Sequence, residues 1–170
     1  MRWANTERVL ILGLGNPLLG DDGVGWQIAE AVRARVQDPD VEVDCLAGGG
    51  LSLMERLVGY DRAILIDAIT SGQGPLGSVY SFPVEALPDL SAGHLNSPHD
   101  TSLQTALRLG RTMGVHLPDH VMVVAVEAES VYDFKEELTP PVAAAVSRAT
   151  QAVLNILQEP AESVEKERMR

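Results

Sequence analysis

An α/β fold built on a mostly parallel five-stranded sheet is the class this sequence predicts, and three observations predict it. Short apolar runs rich in branched residues alternate with longer segments of helical period, the pattern of a chain of βα units. The 170 residues suit one domain with a sizeable core, and neither a repeat nor a second domain is visible. One connection, TSGQGPLG at 70–77, is too short for a helical crossover, so the fourth strand is expected antiparallel to the third and the sheet mixed.

The elements follow in order. The first strand is expected over 9–14, VLILGL, with Gly13 and Gly15 turning the chain toward a helix whose Ile28, Val32 and Val36 recur at i, i+4 and i+8. A second strand over 41–45 leads through AGGGLSL at 47–53 into a short helix at 54–58. Strands over 63–67 and 78–82 come next, then a helix with Leu103, Leu107 and Gly110 on one face that Gly114 stops. A fifth strand is expected over 121–126. Thr139 stands as N-cap of the last helix with Pro140 in its first turn, and Val142, Val146, Ala149, Val153 and Leu157 line its inner face. The domain therefore covers 1–158, and the charged, aperiodic tail at 159–170 is expected to be disordered.

Composition removes several classes of function. The net charge of −11, with Arg33, Arg35, Arg56, Arg62, Arg108, Arg111 and Arg148 scattered singly among acids, leaves no basic face for nucleic acid. Cys45 is the only cysteine, which excludes an intrachain disulfide and a multi-cysteine metal cluster and points to a reducing, cytoplasmic setting. The apolar run at 9–12 is too short for a signal-peptide core, and no stretch of about 18 apolar residues occurs, so no membrane partner is expected. An HExxH helix, a Gly-x-Ser-x-Gly elbow and a plausible Cys-His pair are all missing.

Sites in open α/β sheets form at the carboxyl ends of strands. The first of those ends carries Gly15-Asn16-Pro17 and then Asp21-Asp22-Gly23; the third carries Asp67; HLNSPHD, before the next helix, carries His94, His99 and Asp100. Two carboxylates and an imidazole from separate loops make a partly open site for nickel, zinc or ferrous iron. Each residue also has a plainer role. Asp21 or Asp22, but not both, would cap the helix starting near Gly23, and His99, stiffened by Pro98, would serve the loop alone. Asp67 ends a strongly apolar strand and needs a partner or a cation. His116 and His120 are four apart, but Pro118 lies between them, so they are ordinary surface or strand-edge histidines rather than a helical metal pair. GLGNPL imitates a dinucleotide loop, yet Leu18 stands where the third glycine belongs; Asp44 would be the acid of that alternative.

GLGNPLLGDDGVG, then LIDA, then SPHD, in this order over roughly 8–157, resembles the hydrogenase maturation proteases, nickel-dependent endopeptidases acting on the large subunit of [NiFe] hydrogenases. The resemblance implies a three-layer sandwich, a twisted sheet between helices, and places the family's metal-binding acids on Asp22 and Asp67 and its histidine on His99. It implies removal of a C-terminal extension from the large-subunit precursor after nickel insertion, with nickel supplied by the precursor rather than held permanently. The same three residues are the catalytic candidates: an aspartate would activate water, or the metal would polarise the scissile carbonyl. Asn16 and Asp21 are expected to be supporting residues around the ligands or purely structural, and Gly48, Gly49 and Gly50 a loop open to substrate backbone. Here the chain departs from the Asp-Gly-Gly-Thr loop of many members, since Ala47 precedes the glycines and Leu51 follows them. The expected unit is a monomer. The competing classes are a non-catalytic nickel-sensing chaperone for the same precursor and a nucleotide-binding domain.

Overall fold

The alternation of apolar runs and amphipathic segments is realised as a five-stranded sheet in a computed structural model that describes residues 6–87, 103–129 and 134–160. β1 (Val9–Leu14) is followed by a 3-10 turn (Gly20–Gly23) and α1 (Val24–Arg33), then β2 (Val41–Leu46) and α2 (Gly50–Leu57). β3 (Arg62–Ile69), β4 (Val79–Pro83), α3 (Leu103–Thr112), β5 (His120–Glu127) and α4 (Pro140–Gln158) complete the chain. The strand order is β2-β1-β3-β5-β4. All neighbours are parallel except β4, which runs antiparallel to β5.

The orientation of β4 is as expected, but its neighbour is β5 and not β3. β5 is buried along nearly its whole length and takes the inner position beside β3, whereas the half-exposed β4 suits an edge. The connection after β3 therefore crosses the end of β5, and it is fastened there. Gly77 N–H donates to the Glu127 carbonyl at 2.8 Å, and Glu127 N–H donates to the Ser78 carbonyl at 2.8 Å. The Glu127 side chain, buried in the sheet, accepts the amides of Ser71 and Gly72, each at 2.9 Å, and the Ser71 hydroxyl.

Strand alternation divides the core into two layers. Leu10, Leu12 and Leu14 of β1 join Ala63, Leu65 and Ile69 of β3 under α2 and α3. Ile11, Ile64 and Ile66 point the other way, to Ile28 and Val32 of α1 and Val142, Ala149 and Val153 of α4. Helices thus cover both faces. Each fully buried leucine or isoleucine contributes about 1.5–3 kcal/mol, which makes the adjoining β1 and β3 the most strongly determined part of the sheet. Val36, Val146 and Leu157, expected on the inner faces, are only partly buried at the rim of this second layer.

α1 lies unusually close to the strands beneath it. A Cβ on Gly25 would stand 2.4 Å from the Leu14 carbonyl oxygen and 2.5 Å from that of Ile66, and one on Gly13 would stand 2.4 Å from the Gly25 oxygen. Only glycines permit that approach. The first turn of α1 is consequently pinned at the level where β1 and β3 end, carrying the acidic 3-10 turn with it. Among the described residues, no helix is long and apolar enough to cross a membrane.

Candidate functional site

The chain leaves β1 through Gly15, whose φ of +119° lies outside the range of ordinary L-residues. The loop then folds back so tightly that a Cβ on Gly15 would meet the Asp22 carbonyl oxygen at 1.9 Å. Asn16 holds the loop: its side-chain oxygen accepts Leu18 N–H at 3.0 Å, and its carbonyl accepts Leu19 N–H at 3.1 Å. Asn16 N–H in turn donates to Asp22 Oδ2 at 2.8 Å, which orients that half-buried carboxylate. The amides of Gly15, Asn16, Leu18, Leu19, Gly20 and Asp22 all donate within the protein, to Leu46, Asp22, Asn16 again for both leucines, Lys135 and Leu19 respectively. A phosphate cradle needs such amides free. The loop therefore presents a carboxylate where a nucleotide site presents N–H groups.

Asp67 lies inside β3, two residues before its end, and is 1% exposed. It shares the strand face of Leu65 and Ile69. Its Oδ1 accepts Ala68 N–H at 2.9 Å, and Oδ2 is likewise shielded from solvent. The 3-10 turn bearing Asp22 packs beside β3, the strand that carries Asp67, toward the C-terminal edge of the sheet. His99, with His94 and Asp100, falls outside the described residues. Among the described residues no group of three His, Cys, Asp or Glu side chains is assembled for a metal ion.

Asp21 departs from the local capping role expected of it. Neither the 3-10 turn nor α1 has a side-chain cap. The Asp21 carboxylate, 1% exposed, instead accepts Thr139 N–H and the Thr139 hydroxyl, both at 2.7 Å. Thr139 does occupy the N-cap position of α4, but its hydroxyl is spent on Asp21 rather than on amides of that helix. This pair ties the acidic loop to the start of α4 across 118 residues of sequence.

At the glycine loop, α2 begins at Gly50, four residues ahead of the expected 54–58 helix. Gly50 has φ of +55°, which explains its glycine. Gly49 is extended, and Gly48 avoids positive φ with no atom nearer than 3.8 Å to the place of a Cβ. Nothing in the chain's own packing demands a glycine at 48.

The remaining sequence candidates have structural partners. His116 pairs with Asp61 at 2.9 Å and His120 opens β5, so they form no helical metal pair. Burial pushes the Cys45 thiol up, the opposite of what a nucleophile needs. Asp44 is engaged by Arg56 at 2.9 Å and by Cys45 N–H at 2.8 Å; Arg56 also reaches Glu42, which accepts the Tyr60 hydroxyl. The Tyr60 bond, then Arg56, holds the Glu42 carboxyl below its ordinary value. For Asp44, burial acts upward but the Cys45 amide and Arg56 outweigh it, and its value also falls. A lowered acid stabilises the fold above its unfolded value, near 4, and that stabilisation is lost as pH falls through the lower folded value. We expect a flat melting temperature from pH 7 to about 5 and a decline below about 4. Arg56→Met is expected to shrink that decline, and an unaltered profile in the variant would contradict the assignment.

Two residues that shape this edge had no signal in the sequence. Glu127 reads as an acid following an apolar run, and its anchoring of Ser71 and Gly72 depends on strand order. Thr139 reads as an ordinary cap, and only the tertiary fold brings Asp21 to it.

Comparison with known proteins follows the same architecture. A family model described as hydrogenase maturation protease matches residues 26–156. The chain is 35% identical over 154 residues to the hydrogenase 2 maturation protease of Escherichia coli, covering 89% of this chain and 92% of that protein. It is 30% identical over 153 residues to the hydrogenase expression/formation protein HupD of Rhizobium leguminosarum, covering 89% and 74%. Among solved structures, the hydrogenase maturating endopeptidase HybD from Escherichia coli superposes with a TM-score of 0.71 at 31% identity, covering 89% of this chain and 92% of that one.

Proposed function

The chain belongs to the hydrogenase maturation protease family, and on that premise we propose that it cuts the C-terminal extension from a [NiFe] hydrogenase large-subunit precursor once nickel is in place. The observation that carries this reading is the meeting of the Asp22 loop and the Asp67 strand at one edge, with the loop amides already spent. Such an edge suits a cation better than a phosphate.

Nickel belongs to the substrate in this reading. Asp22, Asp67 and His99 add oxygen and nitrogen donors to an ion that the precursor already holds, so the scissile segment docks only when the metal is present. Asn16 keeps Asp22 aimed at the edge through its N–H, and Asp21 secures the loop from behind through Thr139. Gly48, where a Cβ would make only ordinary van der Waals contact with Ser52 and Leu46, keeps the loop free of a side chain on the side of an incoming peptide backbone. The bond is then hydrolysed by water, activated by an aspartate or directed at a carbonyl polarised by nickel. The enzyme works as a monomer in the cytoplasm, with the precursor as its partner.

The test is to incubate folded enzyme with nickel-loaded and nickel-free precursor and follow the C-terminal extension by mass spectrometry. Release from the loaded precursor alone is expected. A chaperone of the same precursor would bind it and leave it uncut.

A further inference from the structure

Phe134, at 85% the most exposed large apolar side chain among the described residues, stands next to the acidic loop and beside Leu18, which is 50% exposed. Lys135 joins the two segments as a short parallel bridge: its N–H donates to the Leu18 carbonyl at 3.0 Å, and its carbonyl accepts Gly20 N–H at 2.7 Å. Leu19 is opposite Lys135 in that register, which sets Leu18 opposite Phe134 on backbones about 4.8 Å apart. Neither side chain joins either layer of the core. Apolar residues exposed singly are ordinary, whereas adjoining ones with a charged rim mark a contact surface.

The pair is fastened to the carboxylate it adjoins. Asn16 accepts Leu18 N–H on its side-chain oxygen and donates its own N–H to Asp22 Oδ2, so a single residue links Leu18 to Asp22. The segment carrying Phe134 is held again downstream, where Thr139 bonds to Asp21. From Leu18 to Asp22 the chain advances four residues, a reach of at most about 14 Å. Charge distinguishes the possible occupants of such a surface. Asp22 and the exposed Glu136 and Glu137 flank the pair along the chain, so a second copy docking here would set carboxylates against carboxylates in a chain of net charge −11. A precursor that brings a nickel ion to Asp22 meets the same carboxylates with a cation.

We propose that Leu18 and Phe134 form a ledge that receives a large apolar side chain of the precursor, within about four extended residues of the nickel it carries, and thereby contribute to selecting that substrate. The inference rests on the protease reading. The carboxylates read the ion, and the ledge reads the chain beside it.

Phe134→Ser is expected to raise KM for nickel-loaded precursor roughly tenfold while kcat stays within about twofold, because the contact is made equally before and during the chemical step. The melting temperature is expected to stay unchanged, since the Phe134 side chain supports neither core layer. Phe134→Leu is expected to recover most of the lost affinity. Met113, 71% exposed just beyond α3, lies toward the opposite edge, where the His116 carbonyl accepts Gly59 N–H; Met113→Ser is expected to leave KM unaltered. An unchanged KM in Phe134→Ser, or an equal rise in Met113→Ser, would overturn the proposal. So would a wild-type dimer in sedimentation that Phe134→Ser dissolves, which would give the ledge to a second copy. Should wild-type enzyme leave the loaded precursor intact, the protease reading itself fails and this inference with it; an active wild type with an indifferent Phe134→Ser removes only the ledge.

Discussion

Asp67→Asn is expected to reduce processing of nickel-loaded precursor by at least about a hundredfold while leaving the fold intact. The substitution changes almost no volume, and an amide oxygen can still accept Ala68 N–H as Asp67 Oδ1 does. What disappears is a negative charge at a position that is 1% exposed within an otherwise apolar strand. The isosteric amide is therefore expected to leave the melting temperature close to that of the wild type. Processing followed by intact mass, together with a thermal melt, checks both halves. Wild-type processing by the variant would remove Asp67 from the site, and collapse of the fold would make it a structural acid.

Arg62→Met is expected to do the reverse, lowering stability by about 3 kcal/mol without altering the turnover of folded molecules. Arg62 begins β3 at the edge of the sheet away from the carboxylates and is 3% exposed. Its guanidinium donates to the carbonyls of Ile156, of Glu159 at 2.9 Å and of Leu157 at 3.5 Å. These belong to the end of α4, where carbonyls have no partner within the helix and the helix dipole favours a cation. Methionine fills much of the same space but removes the donor from the Leu157 and Glu159 carbonyls and leaves the Ile156 carbonyl with the Glu159 N–H alone. For a chain of this size the loss corresponds to roughly 6–12 °C in melting temperature. A shift under about 2 °C would mean that water replaces the guanidinium freely.

The parts legible in the sequence are those governed by local periodicity. β1 matches its expected limits because all six of its residues are buried and the run ends at a glycine turn. The inner faces of α1 and α4 were visible in Ile28 and Val32 and in Val142, Ala149 and Val153, since one apolar layer suffices to orient a helix. Strand ends were less legible. β3 continues past Asp67 and β5 includes Glu127 because each polar side chain is accommodated by something beyond its own run, Glu127 by Ser71 and Gly72. The neighbour of β4 was hidden for a related reason: a short connection fixes orientation, but which strand lies alongside depends on β5 having taken the inner place.

The candidate site divides along the same line. Asp22 and Asp67 were recognisable as carboxylates at strand ends, where α/β sheets place their chemistry. The role of Asp21 was not, because capping by a neighbour is local chemistry and the bond to Thr139 spans 118 residues.

We propose that the edge bearing Asp22 and Asp67 reads the nickel carried by a precursor. The most direct measurement is the intact mass of purified large-subunit precursor after incubation with wild-type enzyme, with nickel as the only variable between two samples. Loss of the C-terminal extension from the nickel-loaded sample and an unchanged mass in the nickel-free one are expected. Equal cleavage of both samples, or of neither while the enzyme is folded, would contradict the proposal.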